Sequence, residues 1–485
     1  MLAYAVPPYS SDSTFQPSIY SKVRHSLLNE NPSLYRHEFS SADDGLQHPF
    51  RSLSTVGSAL REAFDSGEPQ SNLLSYRYGP FAADFKIIAG YEASFKDPGD
   101  YGFLYKGWRV NANYMDALHL NTYWYNGAFF GDLDAAENDP LIDGYYKHHN
   151  NRIQLDNLSG EFGYYKDHYN LALGRGRFQI GNNISGSIIL NDQVNDYAYL
   201  KAEATLGSFR FSFLHGSLMA DSTFSIYDNA QIDAKNYPDK FIALHQISFF
   251  PWENTELFAG ETVVYGNRGM DLNYLMPNSF WRSVEHDLWD RDNVLIYGGI
   301  NQLLPRGILL YAQMALDEFS YGKILSSWWG NKYALQGGIS LPVQNARFGL
   351  EASAVRPYTY AHFMNHTMYS HDRRPLGYPQ GSNVLDLSFE ANIPFKPYFC
   401  FDTQLSWRRR GSLGNSWQDN YHDLFAGQIN DASAYWFDGE TSEEYQIRSS
   451  LMIPILAHHQ FLLGHDSLKQ ASWQHRLIAA WQFIF

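Results

Sequence analysis

The stretch that decides the fold is His475-Arg476-Leu477-Ile478-Ala479-Ala480-Trp481-Gln482-Phe483-Ile484-Phe485. Apolar residues recur at every second position, and this period predicts a β-strand because successive strand side chains point to opposite faces. An aromatic stripe on a terminal strand invites aggregation in a soluble protein, but it suits a strand that closes a barrel in lipid. The alternative interpretation is a core strand of a soluble sheet.

Composition supports the membrane interpretation. The 485 residues carry a formal net charge of -15, which makes nucleic acid an improbable partner. Aromatic residues make up 16% of the chain, a proportion typical of barrels with aromatic girdles. The mean hydropathy is -0.39, and no apolar run approaches the roughly 18 residues that a membrane helix needs. The single cysteine, Cys400, excludes an intrachain disulfide bond.

The first 80 residues do not alternate. Ser18 to Asn29 and Ser52 to Asp65 have helix-like apolar spacing, so we expect residues 1–80 to form a small helical or irregular periplasmic segment. A flexible leader is the alternative. The start of the sequence lacks the basic and apolar regions of an export signal. Either the signal was removed and a Met added, or the protein is not exported. Because an outer-membrane barrel must be exported, we expect the first.

Alternation begins at Phe81 and continues to the end. From Phe81 to Phe95 the odd positions are apolar, whereas Asp84, Lys86 and Glu92 share the other face, which must see water in a lumen. Residues 81–485 therefore predict a transmembrane antiparallel β-barrel. It has about 18 strands, at 81–95, 101–111, 117–130, 151–166, 168–176, 197–207, 209–219, 240–250, 255–266, 290–303, 307–318, 332–341, 346–356, 384–393, 397–410, 445–456, 459–466 and 474–485.

The spacing between these strands is an independent check. Connections after even-numbered strands are short, and those after odd-numbered strands tend to be long. Bacterial outer-membrane barrels have short periplasmic turns and long outer loops, and an even strand number places both termini on one side. The loop lengths therefore agree with a barrel in the bacterial outer membrane.

The middle of the chain has the most specific motifs. It contains Ala243-Leu244-His245, Gly260-Glu261 in a strand that ends Tyr265-Gly266, Tyr274-Leu275-Met276-Pro277, and Asp290-Arg291-Asp292-Asn293. This run resembles the Wzi family of capsule-assembly outer-membrane barrels, from about Leu171 to Phe319. The resemblance implies a lectin-like barrel that holds capsular or exopolysaccharide at the cell surface, with a helical element closing its periplasmic side. The terminal strand resembles the signal by which the barrel-assembly machinery recognises such proteins.

Aromatic platforms with fixed polar groups are the usual binding surface for glycans. The predicted outer loops offer five candidates, for which girdle or loop-packing roles are the alternative: Trp281, Trp289, Trp328, Trp329 and Trp436. Placing Phe258, Thr262 and Val264 toward lipid puts Glu261 in the lumen. There we expect Glu261 to form a structural ion pair with Arg268 or Arg291.

The remaining motifs give weaker evidence of function. The Gly-rich residues 174–190 lack the helix and second strand of a dinucleotide site, so we expect a loop folded into the lumen with arginines facing carboxylates. His362 and His366 are four residues apart and, with His371, could suggest a metal site, but they lie in a predicted loop and not on a helix with a glutamate base. The acidic residues Glu285, Asp287, Asp290 and Asp292 could bind calcium, but a solvated loop is the simpler interpretation. We therefore predict no catalytic residue, no metal and no cofactor.

Two functions from different classes remain. The first is a non-enzymatic surface barrel that binds and retains polysaccharide, with outer-membrane lipid and the barrel-assembly machinery as further partners. The alternative is a porin-like channel for small polar solutes, since a barrel of this size can hold an open lumen. An outer-membrane hydrolase is the weakest hypothesis, because no Gly-x-Ser-x-Gly motif occurs in the sequence.

Overall fold

A computed structural model describes residues 74–484, apart from 97–98, 116, 138, 140–141, 143–145, 167, 221–226, 229–230, 233–237, 253, 277, 325, 345, 396–398, 420, 422–424, 426–429 and 457–458. The helices expected at Ser18 to Asn29 and Ser52 to Asp65 lie outside the described residues, as does Phe485. Leu74–Tyr78 belongs to the segment expected to be helical or irregular, but it is a short strand.

Eighteen long strands form the barrel, in close agreement with the predicted segments. They are β1 (Phe81–Lys96), β2 (Tyr101–Tyr114), β3 (Leu118–Gly131), β4 (Ile153–Lys166), β5 (Tyr169–Gly176), β6 (Tyr197–Leu206), β7 (Phe209–Met219), β8 (Asp239–Trp252), β9 (Thr255–Gly266), β10 (Asn293–Leu304), β11 (Ile308–Glu318), β12 (Lys332–Val343), β13 (Ala346–Val355), β14 (Val384–Phe395), β15 (Phe399–Gly411), β16 (Thr441–Leu456), β17 (His459–Lys469) and β18 (Trp473–Ile484).

Each strand pairs with its neighbours along the chain, and the last strand pairs with the first. β18 lies antiparallel to β1 in a register that runs from Ile88 opposite Ile484 to Lys96 opposite Arg476. Two short strands, Leu74–Tyr78 beside β1 and Lys147–His148 beside β4, complete the sheet. The predicted closed antiparallel barrel of 18 strands is confirmed.

The connections alternate in length as predicted. Those after even-numbered strands are tight turns, such as Gly207 and Ser208 between β6 and β7. Gly207 has a φ of 59°, a conformation that glycine adopts without strain. The long connections follow odd-numbered strands and are, for the most part, residues 132–152, 177–196, 220–238, 267–292, 319–331, 356–383 and 412–440.

Among the described residues, the α-helices lie only within these long connections. α1 (Leu133–Ala136) begins where the Asp132 side chain accepts the Ala135 N–H, and α2 (Trp281–Asp287) lies in the connection 267–292. Single 3-10 turns cover Leu272–Leu275, Pro305–Gly307, Tyr321–Lys323 and Asn365–Thr367. In the described part of the chain, neither α-helix has the length and apolar character required to cross a bilayer.

Two compact units can be distinguished, and their cores differ. Within the unit formed by Arg177–Glu390 and Ser406–Tyr445, the largest core joins strand residues to the connections 177–196 and 356–383. Within the other unit, Phe103, Tyr125 and Phe129 of β2 and β3 pack with Ile142 of the connection 132–152. In both units a long connection covers the inner face of the strands.

Candidate functional site

The inner faces of β9 to β13 are covered by the connection 177–196. Glu351 of β13 holds its backbone: the Ile184 N–H donates to one carboxylate oxygen at 2.8 Å, and the Ser185 N–H donates to the other at 3.0 Å. The Tyr311 hydroxyl of β11 donates to the same carboxylate at 2.7 Å. A buried carboxylate is tolerated only when such donors surround it, so Glu351 anchors the connection to the barrel wall.

A second connection, 356–383, packs against the first. The Tyr360 hydroxyl donates to the Ile188 carbonyl at 2.7 Å, and the Tyr369 hydroxyl donates to the Ile189 carbonyl at 2.8 Å. These tyrosines and isoleucines are fully buried in one core with side chains of the strands. The hydrogen bonds satisfy carbonyls that would otherwise be costly inside an apolar core.

The Gly-rich stretch is part of this inner core, as the sequence indicated. Arg177 Nε lies 3.5 Å from a carboxylate oxygen of Asp196, which closes the base of the connection 177–196. Gly186 has a φ of 112°, and a Cβ there would overlap the ring of Pro379. Glycine at this position therefore permits the close contact between the two connections.

Two of the tryptophans suggested by the sequence come together at the long-loop end of the strands. The connections 319–331 and 412–440 join through a β-bridge between Trp328 and Ser433. Trp329 is buried against the ring of Tyr421, at 4.5 Å between ring centres. Trp328 is half-buried beside it, 5.9 Å away. Backbone pairing therefore fixes the orientation of both indoles.

Arg356 links Trp436 to this cluster. Its Nε donates to the Asn331 carbonyl at 3.2 Å, and its Nη2 donates to the Ala434 carbonyl at 3.1 Å. The guanidinium carbon lies 5.8 Å from the Trp436 ring centre and 5.9 Å from that of Tyr333. Burial lowers the pKa of Arg356, but a guanidinium stays charged at physiological pH. The cation therefore holds the half-buried Trp436 by cation–π contact.

A hydrogen-bonded pair of polar side chains lies on the opposite, outward face of the wall. His245 of β8 and Glu261 of β9 are cross-strand neighbours, and His245 Nε2 lies 3.0 Å from the Glu261 carboxylate. The same carboxylate accepts the N–H groups of Trp281 at 2.8 Å and Arg282 at 3.2 Å, which are the first of α2. Phe280, which precedes α2, gives it no side-chain cap. Glu261 supplies the missing cap from a distant strand.

The predicted orientation of β9 is therefore wrong. Phe258 and Val264 belong to the inner core with the connections, and Thr262 alternates with them, whereas Glu261 lies on the face that carries the exposed Leu257. The expectation assumed that the lumen is wet and the outside is lipid. Here the protein's own connections pack on Phe258 and Val264 of the inner face, and α2 covers Glu261 on the outer face.

The predicted arginine partners of Glu261 have other positions. Arg268 forms a bidentate pair with Asp292, at 2.8 and 2.7 Å, and a further contact with Asp271 at 3.2 Å. Burial alone would lower the pKa of Arg268, but these carboxylates outweigh it and raise the pKa. Arg291 is exposed. The ion pairs of this segment therefore close the connection 267–292 on itself, and Glu261 is satisfied by His245 and α2.

The remaining tryptophan candidates differ sharply in exposure. Trp281 is 0% exposed, because its ring stacks on His245 at 3.9 Å between ring centres. Trp289, two residues beyond α2, is 92% exposed. Trp281 and Trp329 therefore present no ring face to a ligand, whereas Trp289, Trp328 and Trp436 have exposed area.

Possible metal ligands are few. Among the described residues, Glu285, His286 and Asp290 form the group whose ligand atoms lie within 4.8 Å of one another, and Arg282 already pairs with Glu285. The histidines of the connection 356–383 have protein partners: His371 Nδ1 accepts the Met219 N–H at 2.9 Å, and His362 contacts Thr367. This arrangement gives packing roles to both histidines.

The sequence did not reveal that the connection 267–292 folds over the outside of the wall. One signal was available: Met270, Leu272, Met276, Phe280 and Trp289 are large apolar residues in a connection that should otherwise be polar. The Wzi-like motifs Ala243-Leu244-His245 and Gly260-Glu261 contribute the two partners of the outward pair. Periodicity alone could not assign that pair to a face.

No protein-family model and no curated protein matches the sequence. The structure is similar to that of Wzi from Escherichia coli, an outer membrane protein involved in group 1 capsule assembly that is described as a carbohydrate-binding β-barrel. The two chains share 13% identity with a TM-score of 0.53, over 83% of this chain and 84% of Wzi.

Weaker similarity extends to other barrels. OccK5 (OpdH) of Pseudomonas aeruginosa gives 10% identity and a TM-score of 0.46, over 84% of this chain and 98% of that one. OccAB3 of Acinetobacter baumannii shares 11% identity with a TM-score of 0.47, over 84% of this chain and 99% of OccAB3. At such identities the likeness to Wzi concerns the fold alone. The chain has the fold of the outer-membrane β-barrel proteins of Gram-negative bacteria.

Proposed function

We propose that this protein is a Wzi-like outer-membrane barrel that binds capsular or other surface polysaccharide and retains it at the cell, without turnover. The observation that carries the proposal is that Arg356 joins two half-buried indole residues at the long-loop end of the strands: its Nη2 donates to the Trp328 carbonyl at 3.4 Å, and its guanidinium lies 5.8 Å from the Trp436 ring centre. The carbohydrate-binding description of Wzi and the motifs around His245 and Glu261 support the same function. The C-terminal strand would be the contact for the barrel-assembly machinery.

The chemistry of the indole pair suits a sugar. The hydrophobic face of a pyranose ring packs on an aromatic face, and fixed polar groups beside it select orientation. Lys323 Nζ lies 4.9 Å from the Trp328 ring centre, and Arg356 contacts Trp436. Because both rings are held in place before binding, little conformational entropy is lost when a ligand docks.

A glycan array with the detergent-purified protein tests this function. We expect Trp328→Ala combined with Trp436→Ala to weaken binding about tenfold or more, since each aromatic anchor contributes about 1 kcal/mol or more. Trp252→Ala is the matched control, because Trp252 is also exposed but lies at the short-turn end of β8. Equal binding by the double variant and wild type would contradict the proposal.

A deletion strain gives the cellular measurement. We expect polysaccharide still to be secreted but to wash off the cells more readily, because the binding surface is lost while synthesis is not. Wild-type protein supplied in trans should restore retention, and the double tryptophan variant should not. Normal retention in the deletion strain would remove this function.

A channel for small polar solutes is the second candidate. The observation in its favour is the polar inner face of β2 and β18: Asn111 and Asn113 are buried there, and Gln482 has no hydrogen-bond partner for its side chain within the described residues. Planar-bilayer conductance separates the two functions. A large, steady open state would favour the channel, whereas a closed state would favour the binding protein.

A further inference from the structure

The connection 267–292 exposes large apolar side chains, whereas its buried charges are paired and its exposed charges, Asp287, Asp290 and Arg291, lie at or just after the end of α2. Asp292 is buried with Arg268, and Glu285 is buried against Arg282. The exposed fractions of its apolar residues, excluding Trp289, are 57% for Met270, 73% for Leu272, 51% for Met276 and 56% for Phe280. In water such a surface would be costly, and contiguous apolar patches of this kind mark interaction sites.

The position of the connection 267–292 on the barrel wall indicates the environment that its exposed side chains contact. Trp281 and Tyr274 pack on the outward side chains Ala243, Val263 and Tyr265, so the segment lies on the outer face of β8 and β9. Along β9 that face is exposed at Leu257 and Ala259 and covered from Glu261 onward. The exposed apolar residues of the segment thus continue the surface that a barrel presents to lipid.

The length of the outer face of β9 that the connection 267–292 leaves uncovered also indicates contact with lipid. A strand crosses the hydrocarbon layer with about 9–11 tilted residues. On the outer face of β9, the uncovered part ends at Ala259, only a few residues from the start of the strand at Thr255. The remaining depth of the layer must therefore be occupied by the connection 267–292.

The carboxylate of Glu261 explains why the outer face of β9 needs to be covered by α2. A carboxylate on the lipid face costs several kcal/mol when it is not paired and hydrogen-bonded. Glu261 is 4% exposed, and every hydrogen bond described above for its carboxylate comes from His245 or α2. The segment thus hides the His245–Glu261 pair and presents its own apolar side chains instead.

We propose that the connection 267–292 is a lipid-contacting element, in which acyl chains of the outer leaflet cover Leu272, Met276 and Phe280 while α2 shields the His245–Glu261 pair on the wall. This inference depends on a membrane location and is independent of glycan binding. Continuity with the lipid-facing wall favours lipid over a second copy of this chain or a soluble partner.

Single-cysteine labelling in proteoliposomes tests the proposal. In a Cys400→Ser background, Leu272→Cys, Met276→Cys and Phe280→Cys each carry a nitrobenzoxadiazole dye. Tyr321→Cys is the control, because Tyr321 is 85% exposed in another long connection. We expect brominated phosphatidylcholine to quench most of the emission from the three segment positions and little from position 321. Aqueous iodide should show the reverse order.

Two results would overturn the proposal. One is iodide quenching at the segment positions as strong as at position 321, which would place them in water. The other is protection from both quenchers that disappears on dilution of the protein in lipid, which would make a second copy the occupant. Loss of glycan binding without any change in quenching would concern the proposed function alone.

A variant without a dye keeps the test independent of labelling. Met276→Asp combined with Phe280→Asp should make the segment cleavable by proteinase K in proteoliposomes, because carboxylates leave the acyl region. Tyr321→Asp is the control and should leave cleavage of the segment unchanged. Cleavage sites are read by mass spectrometry, and full protection in the double variant would contradict lipid contact.

Discussion

β1 and β9 belong to one barrel and both alternate, yet β1 keeps its carboxylates on the inner face, whereas β9 has Glu256 on the inner face and Glu261 on the outer face. In β1, Asp84 and Glu92 face inward, and Tyr91 and Phe95 are exposed outward. In β9, Glu261 faces outward. Alternation therefore reveals that a strand has two different faces, but the identity of each face depends on what covers it.

The difference comes from the material on each side of the wall. On the inner face of β1, Glu92 Oε1 lies 3.5 Å from Arg476 Nη2 of β18. The carboxylate and the guanidinium therefore form an ion pair inside the barrel. The inner face of β9 instead meets Ile188, Ile189 and other buried apolar residues of the connections. The apolar residues Phe258 and Val264 are stable against that core, whereas Glu261 on the opposite face lies outside, where α2 covers it.

The largest effect is expected from removing the inner anchor of β13. Glu351→Ala leaves the Ile184 and Ser185 N–H groups and the Tyr311 hydroxyl without their acceptor, and because each unsatisfied buried donor costs about 1–3 kcal/mol, we expect a loss of about 3–5 kcal/mol. We expect the connection 177–196 to leave the inner face of β9. Urea unfolding in lipid vesicles should show the lost stability, and planar-bilayer conductance should rise.

Glu351→Gln is the control for this prediction. An amide keeps one acceptor oxygen of similar size, so we expect a smaller loss of about 1–2 kcal/mol and a smaller rise in conductance. Unchanged stability and conductance in Glu351→Ala would mean that the connections do not keep the inner face of β9 apolar.

A smaller effect is expected from removing the outward charge. Glu261→Ala deprives α2 of its N-terminal cap and His245 of its partner, at a cost of about 2–3 kcal/mol. Proteinase K should then cleave within 267–292. Glu92→Ala on β1 is the matched wall carboxylate, and it should leave this segment protected because Arg476 keeps its 2.8 Å pair with Asp139. Equal protection of residues 267–292 from proteinase K in Glu261→Ala and Glu92→Ala would contradict the proposed difference between β9 and β1.

The smallest effect is a dependence on pH. Burial raises the pKa of Glu285 to about 8, although Arg282 opposes the shift. Because this pKa lies above the ordinary value of 4.5, its contribution to stability is full below about pH 4.5 and is lost as pH rises through about 8. We expect proteinase K cleavage of 267–292 to increase over that interval.

Glu285→Gln removes the titrating proton and should flatten the pH profile, leaving the segment protected at high pH. Asp287→Asn is the control, since Asp287 is an exposed carboxylate on the same helix and its replacement should leave the profile as in wild type. A steep profile in Glu285→Gln would assign the pH dependence to another group.

The fold was largely predictable, whereas the site was predictable only in part. Alternation and tight-turn residues are local signals, and they located every long strand to within a few residues. Trp328, Trp329 and Trp436 were named as candidates in the outer loops, but their connection through Arg356 required three connections to meet. The burial of Trp281 depends on a stack with His245, which is distant in sequence.

The sequence by itself determined the barrel, its strand number and the side on which the long connections lie, because backbone pairing and turn formation depend on residues close along the chain. Only the tertiary structure decided which face of β9 is the outer one. The physical reason is that the free energy of a side chain depends on its surroundings. At β9 those surroundings are the protein's own connections on both sides.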